Sequence, residues 1–240
     1  MKKNVMIIVA HPDDEVLGCG GFINKYKKKF NFKVIFLAEG SSCKYVNLVK
    51  NEKKIEFDAV KNKKKIEQEI LVRKNCAKKA SKILGVKAIN FYDNKCGSLS
   101  YIPQLGLNKI VEKEIENFKP SIVLTHSGDD LNMDHRAIFN SVLTSTRPIN
   151  YKSVEELYSF EILSSTEWNY EKNFKPNVFV ELSEKDIINK SKALNCYKSE
   201  VKSAPYPRSR YGLKALAKYR GLQSGFMYAE SFRLIRKITK

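Results

Sequence analysis

The feature that most constrains the fold is a short apolar run, Val5–Val9, followed after Ala10 by His11 and Pro12. Four of its five residues are β-branched, and the run has no polar alternation. Such a run is typical of a strand buried on both faces in a parallel sheet. Pro12 cannot donate to a β-ladder, so the strand must end before it. The pattern therefore predicts a parallel sheet whose first strand delivers the polar segment Ala10–Glu15 to its carboxyl end.

Strand and helix patterns alternate along the rest of the chain. The predicted strands are Lys33–Ala38, Ala88–Tyr92, Ser121–Thr125, Glu156–Leu163 and Val178–Leu182. The predicted helices are Glu15–Tyr26, Ile66–Leu84, Leu107–Phe118, Glu184–Lys202 and Ser209–Ser224. Small residues at Gly18–Gly21 are expected to let the first helix pack close to the strands, and the charged stretch Lys44–Lys65 is predicted to be a mobile excursion. The chain of 240 residues is predicted to form one α/β domain, 1–240, with a Rossmann-like, mostly parallel sheet and helices on both faces.

Only three histidines occur in the chain, and all lie in two short segments at predicted strand ends. His11 follows the first strand, whereas His126 and His135 follow the strand Ser121–Thr125. The aspartates that accompany them are Asp13, Asp14, Asp129, Asp130 and Asp134. Open α/β sheets place their ligands at the carboxyl ends of the strands, and imidazole and carboxylate groups are ligands for divalent transition metals. The two segments therefore indicate a metal-dependent hydrolase.

Within the first segment, the bend at Pro12 can turn His11 and Asp14 towards one point and leave Asp13 beside them. One carboxylate can then bind the metal while the other serves as a base. Zinc hydrolases use three protein ligands and leave one position for water. His135, arriving from the neighbouring strand end, would complete the ligand triad. The expected cofactor is zinc or another divalent transition metal.

Further motifs accompany these two segments. They are Arg73 followed by a small-residue helix, Leu84-Gly85-Val86, Phe91–Asn94, and the Thr-His…Asp-His-Arg-Ala segment that ends at Ala137. Together with Ala10–Glu15 they resemble the PIG-L or LmbE-like metal-dependent N-deacetylases, which remove acetyl from N-acetylglucosamine-type groups. The second half is similar to a bacterial branch associated with amino-sugar and surface-glycan pathways. That similarity is carried by Ser164–Trp168, Tyr197–Glu200, Pro207–Ser209 and Tyr219–Gly221.

The resemblance implies that His11, Asp14 and His135 bind the metal and that Asp13 is the general base. A bound divalent cation lowers the pKa of water from 15.7 to about 7 and polarises the acetamide carbonyl. The implied reaction is removal of the N-acetyl group from an N-acetylated amino sugar. Whether that sugar is free, nucleotide-linked, lipid-linked or part of a glycan is left open by the sequence.

The resemblance also implies that Arg73 and Asp93 line the sugar pocket, where Asp93 would accept hydrogen bonds from sugar hydroxyls. One position departs from the pattern of many members, which carry His-x-Asp-His where this chain has Asn132 to His135. Asn132 can donate a hydrogen bond to an oxyanion but cannot deliver a proton. The acid that protonates the leaving amine is therefore either Asp13, returning its proton, or His126.

The net charge of +18, from 44 basic and 26 acidic residues, raises a rival interpretation. A positive surface favours nucleic acid, anionic membranes or phosphorylated substrates. Only eight of the basic residues are arginine, which is the preferred side chain for bidentate phosphate recognition, so a Lys-rich composition explains the charge without nucleic acid. Two alternatives remain open: a polyanion-binding protein with a residual metal site, and a metal hydrolase of the same fold that acts on another amide or an N-glycosidic bond.

The cysteine pattern and the amino terminus bear on the compartment. Five cysteines include no Cys-x-x-Cys pair, which fits reduced thiols better than a disulfide framework. The apolar run at Val5 is too short for a signal-peptide core or a membrane span. We therefore expect a cytoplasmic enzyme with a small-molecule amino-sugar partner, and nothing in the sequence excludes a homo-oligomer.

Overall fold

The computed structural model describes residues 2–49, 54–57, 59–148 and 154–239. The strands in these ranges are β1 (Lys3–Val9), β2 (Phe30–Ala38), β3 (Val46–Val49), β4 (Lys54–Phe57), β5 (Ala88–Asn94), β6 (Ile122–His126), β7 (Glu156–Phe160), β8 (Val178–Glu181) and β9 (Ala229–Lys237). The α-helices are α1 (Asp14–Tyr26), α2 (Ala59–Leu84), α3 (Gln104–Phe118), α4 (Met133–Ser145), α5 (Glu184–Leu194) and α6 (Arg210–Leu222). None of the helices in the described ranges is long and apolar enough to cross a membrane.

Seven strands form one sheet in the order β5-β2-β1-β6-β7-β9-β8. The five strands from β5 to β7 run parallel, and β9 is antiparallel to both β7 and β8. The prediction of a mostly parallel α/β sheet is confirmed. The strand order reverses direction between β1 and β6, since the chain continues from β1 to β2 on one side and returns to β6 on the other. Such a switch point is where open α/β sheets form a crevice beyond their strand ends.

Alternate residues of β1 pack into two different cores. Val5, Ile7 and Val9 lie in a core shared with α1, α2, α5 and α6. Met6 and Ile8 lie in a second core shared with α3 and α4 on the opposite face. All five side chains are fully buried, and each contributes about 1.5–3 kcal/mol to the free energy of unfolding by leaving water. Helices therefore cover both faces, as predicted.

Close packing of α1 depends on its glycines. A Cβ at Gly18 would overlap the ring of Phe160 on β7, and a Cβ at Gly21 would lie 2.5 Å from a methyl group of Leu182. The prediction that small residues bring this helix close to the strands is thus consistent with the packing. The approach therefore fixes how α1, which begins at Asp14, packs on the sheet.

Several predicted boundaries were wrong. The stretch predicted as an excursion, Lys44–Lys65, contains the hairpin β3–β4 and the first turns of α2, although residues 50–53 and 58 lie outside the described ranges. Helix α5 ends at Leu194 rather than Lys202, because the chain then turns so that Tyr197 is buried beside Glu15. Strand β7 ends at Phe160 rather than Leu163. Helix α4 and strand β9 were not predicted.

Candidate metal centre and catalytic site

The loop after β1 places His11 and Asp14 at the switch point. The backbone N–H of His11 donates to Oδ2 of Asp14 at 2.8 Å, and Asp14 is the first residue of α1. An acidic side chain at this position is also favoured by the helix dipole. Both side chains are buried. The loop is therefore held in a conformation that turns an imidazole and a carboxylate towards the same interior point.

Three imidazoles surround one oxygen of Asp14. Its Oδ2 lies 3.4 Å from Nδ1 of His11, 3.4 Å from Nε2 of His135 and 3.5 Å from Nε2 of His126. His126 is the last residue of β6, and His135 lies in the first turn of α4. The structure therefore brings together His11, Asp14 and His135, the three residues predicted as ligands.

A second aspartate fixes the orientation of each candidate ligand histidine. Nε2 of His11 lies 3.0 Å from Oδ2 of Asp134, and Nδ1 of His135 lies 3.1 Å from Oδ1 of Asp130. Because Asp134 and Asp130 lie beside these nitrogens, His11 Nδ1 and His135 Nε2 are the ring nitrogens left facing Asp14. Metal-binding histidines are commonly oriented through such carboxylates. Both aspartates lie in the second histidine segment of the sequence, where no local pattern predicts this role for them.

The two orienting aspartates are themselves anchored. The backbone N–H groups of Gly97 and Leu99 donate to Asp134 at 2.6 and 2.9 Å. Asp130 accepts hydrogen bonds from the hydroxyls of Ser165 and Thr166. These contacts leave each carboxylate little freedom to rotate, so the imidazoles that they hold are preorganised.

The donor set fits a divalent metal ion. His11, Asp14 and His135 offer ligand atoms that all lie within 4.8 Å of one another. Asp14 Oδ1 and His135 Nε2 are buried and make no hydrogen bond to the described residues. Unsatisfied buried polar atoms are costly unless a further group binds them, and two imidazoles with one carboxylate suit zinc.

A second group among the described residues, His11, Cys96 and Asp134, has the same spacing. Both oxygens of Asp134 already accept backbone hydrogen bonds, and its Oδ2 also contacts His11. The group that contains Asp14 and His135 therefore fits a metal better.

Electrostatics at the centre indicate that a cation is favoured there. Burial by itself lowers the pKa of His11, but its contacts with Asp134 and Asp14 raise that pKa to about 10. Burial likewise opposes the charged form of His135, yet Asp14 and Asp130 raise its pKa to about 9. Burial raises the pKa of Asp14, but the neighbouring histidines, His135 above all, bring it well below its usual range. A divalent ion would supply the positive charge that protons on these imidazoles otherwise provide.

Asp13, the predicted base, lies beside this centre in a strained backbone conformation. Its φ is 132°, a value that non-glycine residues rarely adopt. The carboxylate of Glu15 accepts the Asp13 N–H at 3.0 Å and helps to hold this conformation. Burial raises the pKa of Asp13, although Arg73 and Arg208 act in the opposite direction. Its Oδ1 makes no hydrogen bond within the described residues and is therefore open to a further partner.

Two arginines hold the other oxygen of Asp13. Oδ2 lies 3.3 Å from Nη2 of Arg73 and 3.1 Å from Nη1 of Arg208. Arg73 also donates to the Pro12 carbonyl at 2.7 Å. Glu200 joins both arginines, at 2.6 Å from Arg73 and 3.7 Å from Arg208. Glu200 and Arg208 lie in family-like segments of the sequence, but neither was predicted to be a site residue.

His126 is enclosed within the protein. The N–H of Ala10 donates to its Nε2 at 2.9 Å, and its ring stacks on His135 with a centroid distance of 3.8 Å. Burial, reinforced by His135, lowers the pKa of His126 to about 3. At neutral pH the imidazole is therefore neutral, and its Nε2 carries a lone pair rather than a proton.

Asn132 is the N-cap of α4. Its side-chain oxygen accepts the N–H of Asp134 at 2.9 Å, which fixes the start of the helix that carries His135. An N-cap of this kind contributes about 1 kcal/mol to helix stability. Asn132 therefore lies at the start of the helix that carries His135, three residues before it.

Asp93 lies on the edge strand β5, and its side chain is 57% exposed. It forms an ion pair with Lys74 of α2 at 2.6 Å. The contacts described for Asp93 do not join it to the histidine and aspartate cluster. Unlike Arg73, this residue is therefore not drawn into the buried centre.

Comparison with known proteins places this arrangement in a family. Residues 6–145 match the family model described as PIG-L, GlcNAc-PI de-N-acetylase. The chain belongs to the PIG-L family. The matched range contains every residue of the candidate metal centre and Asp13, whereas Glu200 and Arg208 lie beyond it.

Relatives of this PIG-L family member include several deacetylases. The chain is 25% identical to diacetylchitobiose deacetylase of Thermococcus kodakarensis, over 97% of this chain and 83% of the relative. The structure of N,N'-diacetylchitobiose deacetylase from Pyrococcus horikoshii matches with a TM-score of 0.70 and 22% identity, covering 97% of this chain and 84% of that one. The 4-carboxy-2-hydroxymuconate hydratase of Pseudomonas putida matches equally well, with a TM-score of 0.72 and 21% identity over 100% and 99% of the two chains. The shared fold alone therefore does not define the reaction.

Proposed function

We propose that this PIG-L family member is a zinc-dependent hydrolase that removes the acetyl group from an N-acetylated amino sugar. The observation that carries the proposal is the convergence of His11 Nδ1 and His135 Nε2 on Asp14 Oδ2, with Asp13 held beside them. Three ligands and an adjacent carboxylate are what hydrolysis by a metal-activated water requires. The sequence similarity to diacetylchitobiose deacetylase supports an N-acetyl sugar as the substrate class.

In this proposal His11, Asp14 and His135 hold the ion. When bound, zinc supplies Lewis acidity that lowers the pKa of water and polarises the acetamide carbonyl. Asp134 and Asp130 keep the two imidazoles in the tautomers that present Nδ1 of His11 and Nε2 of His135 to the ion. Their anchoring by backbone and hydroxyl groups limits the reorganisation needed on binding.

Asp13 accepts the proton of the attacking water at Oδ1. Arg73 and Arg208 bind Oδ2, so they fix the direction in which Oδ1 points. A carboxylate whose pKa is raised by burial accepts a proton more readily than an exposed one. Arg73 is only 5% exposed, which leaves it little surface for a sugar, and we assign it to positioning Asp13.

Asp13 also returns this proton to the leaving amine. The other candidate acid, His126, has its Nε2 occupied by the Ala10 N–H and its pKa lowered to about 3, so it carries no proton to deliver from that atom. We assign His126 to positioning His135 through ring stacking. Asn132 has its side-chain oxygen committed to the helix cap, and its amide nitrogen is the group that would donate to the oxyanion.

The proposed substrate is a small molecule. The five free thiols support a reducing compartment such as the cytoplasm. That Asp93 contacts the sugar stays a prediction. Its exposure would restrict it to the outer rim of the pocket, so Asp93→Ala is expected to raise KM with little change in kcat.

An acetate-release assay tests the function. The zinc-loaded protein is incubated with N-acetylglucosamine, diacetylchitobiose and nucleotide-linked N-acetyl sugars, before and after chelation. Acetate release that a chelator abolishes and zinc restores would support the proposal. No acetate from any of these sugars, together with salt-dependent DNA binding, would favour the polyanion-binding alternative instead. Release of a free base from a nucleoside would favour hydrolysis of an N-glycosidic bond.

A further inference from the structure

Two cysteines that the proposed reaction does not use lie against each other near the metal centre. Sγ of Cys43 and Sγ of Cys96 are 2.8 Å apart, although 53 positions separate them in the sequence. Cys43 lies in the short 3₁₀ helix Ser42–Tyr45 and is exposed, whereas Cys96 follows β5 and is buried. An oxidant in solution can therefore reach the first thiol, and the second is already in contact with it.

We propose that Cys43 and Cys96 form an oxidation site, at which peroxide produces a disulfide that lowers the activity of the adjacent centre. Formation of the bond does not depend on the proposed function. The effect of the bond on the rate of acetate release rests on that function.

The segment that follows Cys96 connects this pair to a candidate metal ligand. Gly97 donates its backbone N–H to Asp134 Oδ2 at 2.6 Å, and Leu99 donates to Oδ1 at 2.9 Å. The same Oδ2 lies 3.0 Å from His11 Nε2. The residues that follow Cys96 therefore bind Asp134, the side chain that orients His11. A covalent bond at Cys96 acts on this segment.

The segment that carries Cys43 and the segment that carries Cys96 bind the same carboxylate. Glu39 accepts the N–H groups of Ser42 and Cys96, at 3.1 and 2.9 Å from its two carboxylate oxygens. One carboxylate thus clamps both cysteine segments together. The two sulfurs, 2.8 Å apart, have only to approach to the S–S distance of a disulfide, about 2.05 Å, for the bond to form.

The reaction balances with peroxide as the oxidant. The Cys43 sulfur, as thiolate, attacks one oxygen of H₂O₂, the O–O bond breaks, and the hydroxide that leaves takes up a proton to become water. The Cys96 sulfur then attacks the sulfenic sulfur of Cys43, the S–O bond breaks, and a second water leaves. The two thiols lose two protons and two electrons in all, and a dithiol reductant reverses the change.

Closing the disulfide draws Cys96 towards Cys43 and so pulls on the amides of Gly97 and Leu99. If the Asp134 carboxylate moves out of alignment, His11 is no longer held in the orientation that presents Nδ1 to the ion. Changes to groups that orient a metal ligand cost about 10- to 100-fold in metal affinity or activity. We expect a loss of this size in the oxidised protein and full recovery on reduction.

The test treats the zinc-loaded full chain with H₂O₂ and maps disulfides by mass spectrometry of a digest under non-reducing conditions. Zinc affinity, from competition with a chromophoric chelator, and acetate release are measured before oxidation, after it, and after dithiothreitol. The expected result is a Cys43–Cys96 cross-link, a 10- to 100-fold loss in affinity or rate, and reversal by the reductant.

Two variants make the test specific. Cys43→Ser removes the exposed thiol and should keep zinc affinity and rate under peroxide. Cys76→Ser, which removes a half-buried cysteine on α2, should remain as sensitive as the wild type. The proposal is overturned if no Cys43–Cys96 cross-link forms, if the cross-link leaves both affinity and rate unchanged, or if Cys43→Ser is inactivated like the wild type. If the reduced protein releases no acetate, the proposed function fails, while the cross-link and the zinc affinity still decide the oxidation site.

Discussion

Nη1 of Arg208 lies 3.1 Å from Oδ2 of Asp13, a residue 195 positions earlier in the chain. The contact brings a residue outside the matched family range against the candidate base. Since Arg73 binds the same oxygen, the two guanidinium groups together fix which carboxylate oxygen is left for the reaction. The proposed base is therefore positioned by residues from both halves of the chain.

Replacing Arg208 tests this positioning role. Arg208→Gln should lower kcat by about 10²-fold, because a misplaced catalytic group costs on that order, while zinc content stays unchanged. The control is Arg210→Gln, which removes an exposed arginine at the start of α6. Steady-state kinetics with metal analysis check both variants. A wild-type kcat in Arg208→Gln would mean that Asp13 does not depend on this contact.

Asn132 allows the cap and the oxyanion role to be separated. Asn132→Ala should lose about 10²- to 10³-fold in kcat and about 1 kcal/mol of stability. Asn132→Asp keeps the side-chain oxygen that caps α4 but loses the amide donor, so it should keep stability and still lose activity. Thermal unfolding and kcat are measured for both. Full activity in Asn132→Ala would remove Asn132 from the mechanism.

The space around two helical glycines predicts opposite outcomes when each is replaced by alanine. Gly18→Ala should destabilise the protein by about 1–3 kcal/mol, because its methyl group would overlap the ring of Phe160. Gly106→Ala on α3, whose added methyl would meet its nearest atom at 3.6 Å, should stabilise it by about 0.4–1 kcal/mol. Urea unfolding of the two variants measures these changes. Equal effects would show that helix propensity, not the approach to β7, governs position 18.

The buried carboxylate of Glu114, which is not part of the candidate metal centre, predicts part of the acid sensitivity of the protein. Burial raises the pKa of Glu114, but hydrogen bonds from Lys33, Tyr92 and Asn90 outweigh it and lower that pKa. A carboxylate whose pKa is lower in the folded than in the unfolded state stabilises the fold at pH values above the unfolded-state pKa, which for glutamate is about 4.3. This stability is lost as the pH falls through the folded-state pKa. When the pH is lowered from 6 to about 3, the Tm of Glu114→Gln should therefore fall less than that of the wild type. An equal loss in both proteins would contradict the assignment.

Local patterns were sufficient to predict the sheet edge and the histidine and aspartate residues that converge there. Val5–Val9 identified a buried strand, and the residues after it and after β6 are those that converge. The reason is that strand ends in a parallel sheet share one edge, so that two local motifs define one place in the fold.

Other features depended on contacts that a local pattern does not show. Arg208 follows no buried strand, and only the packing of the carboxyl half brings it to Asp13. The Cys43–Cys96 contact likewise joins a turn after β2 to the end of β5. Strand β9, which joins β8 to the rest of the sheet, was missed. Asp93 was assigned to the pocket from its motif alone, and this assignment stays a prediction; in the structure its side chain pairs with Lys74.

The adjacent carboxylates Asp13 and Asp14 provide the most direct test of the central claim, that one is the base and the other a metal ligand. Zinc content and acetate release are measured side by side for Asp13→Asn and Asp14→Asn, which remove one charge each from neighbouring buried positions. We predict that Asp13→Asn keeps zinc and loses about 10²- to 10⁴-fold in kcat, the usual contribution of a positioned base, whereas Asp14→Asn loses zinc. Near-wild-type turnover in Asp13→Asn, or full zinc retention in Asp14→Asn, would contradict the account.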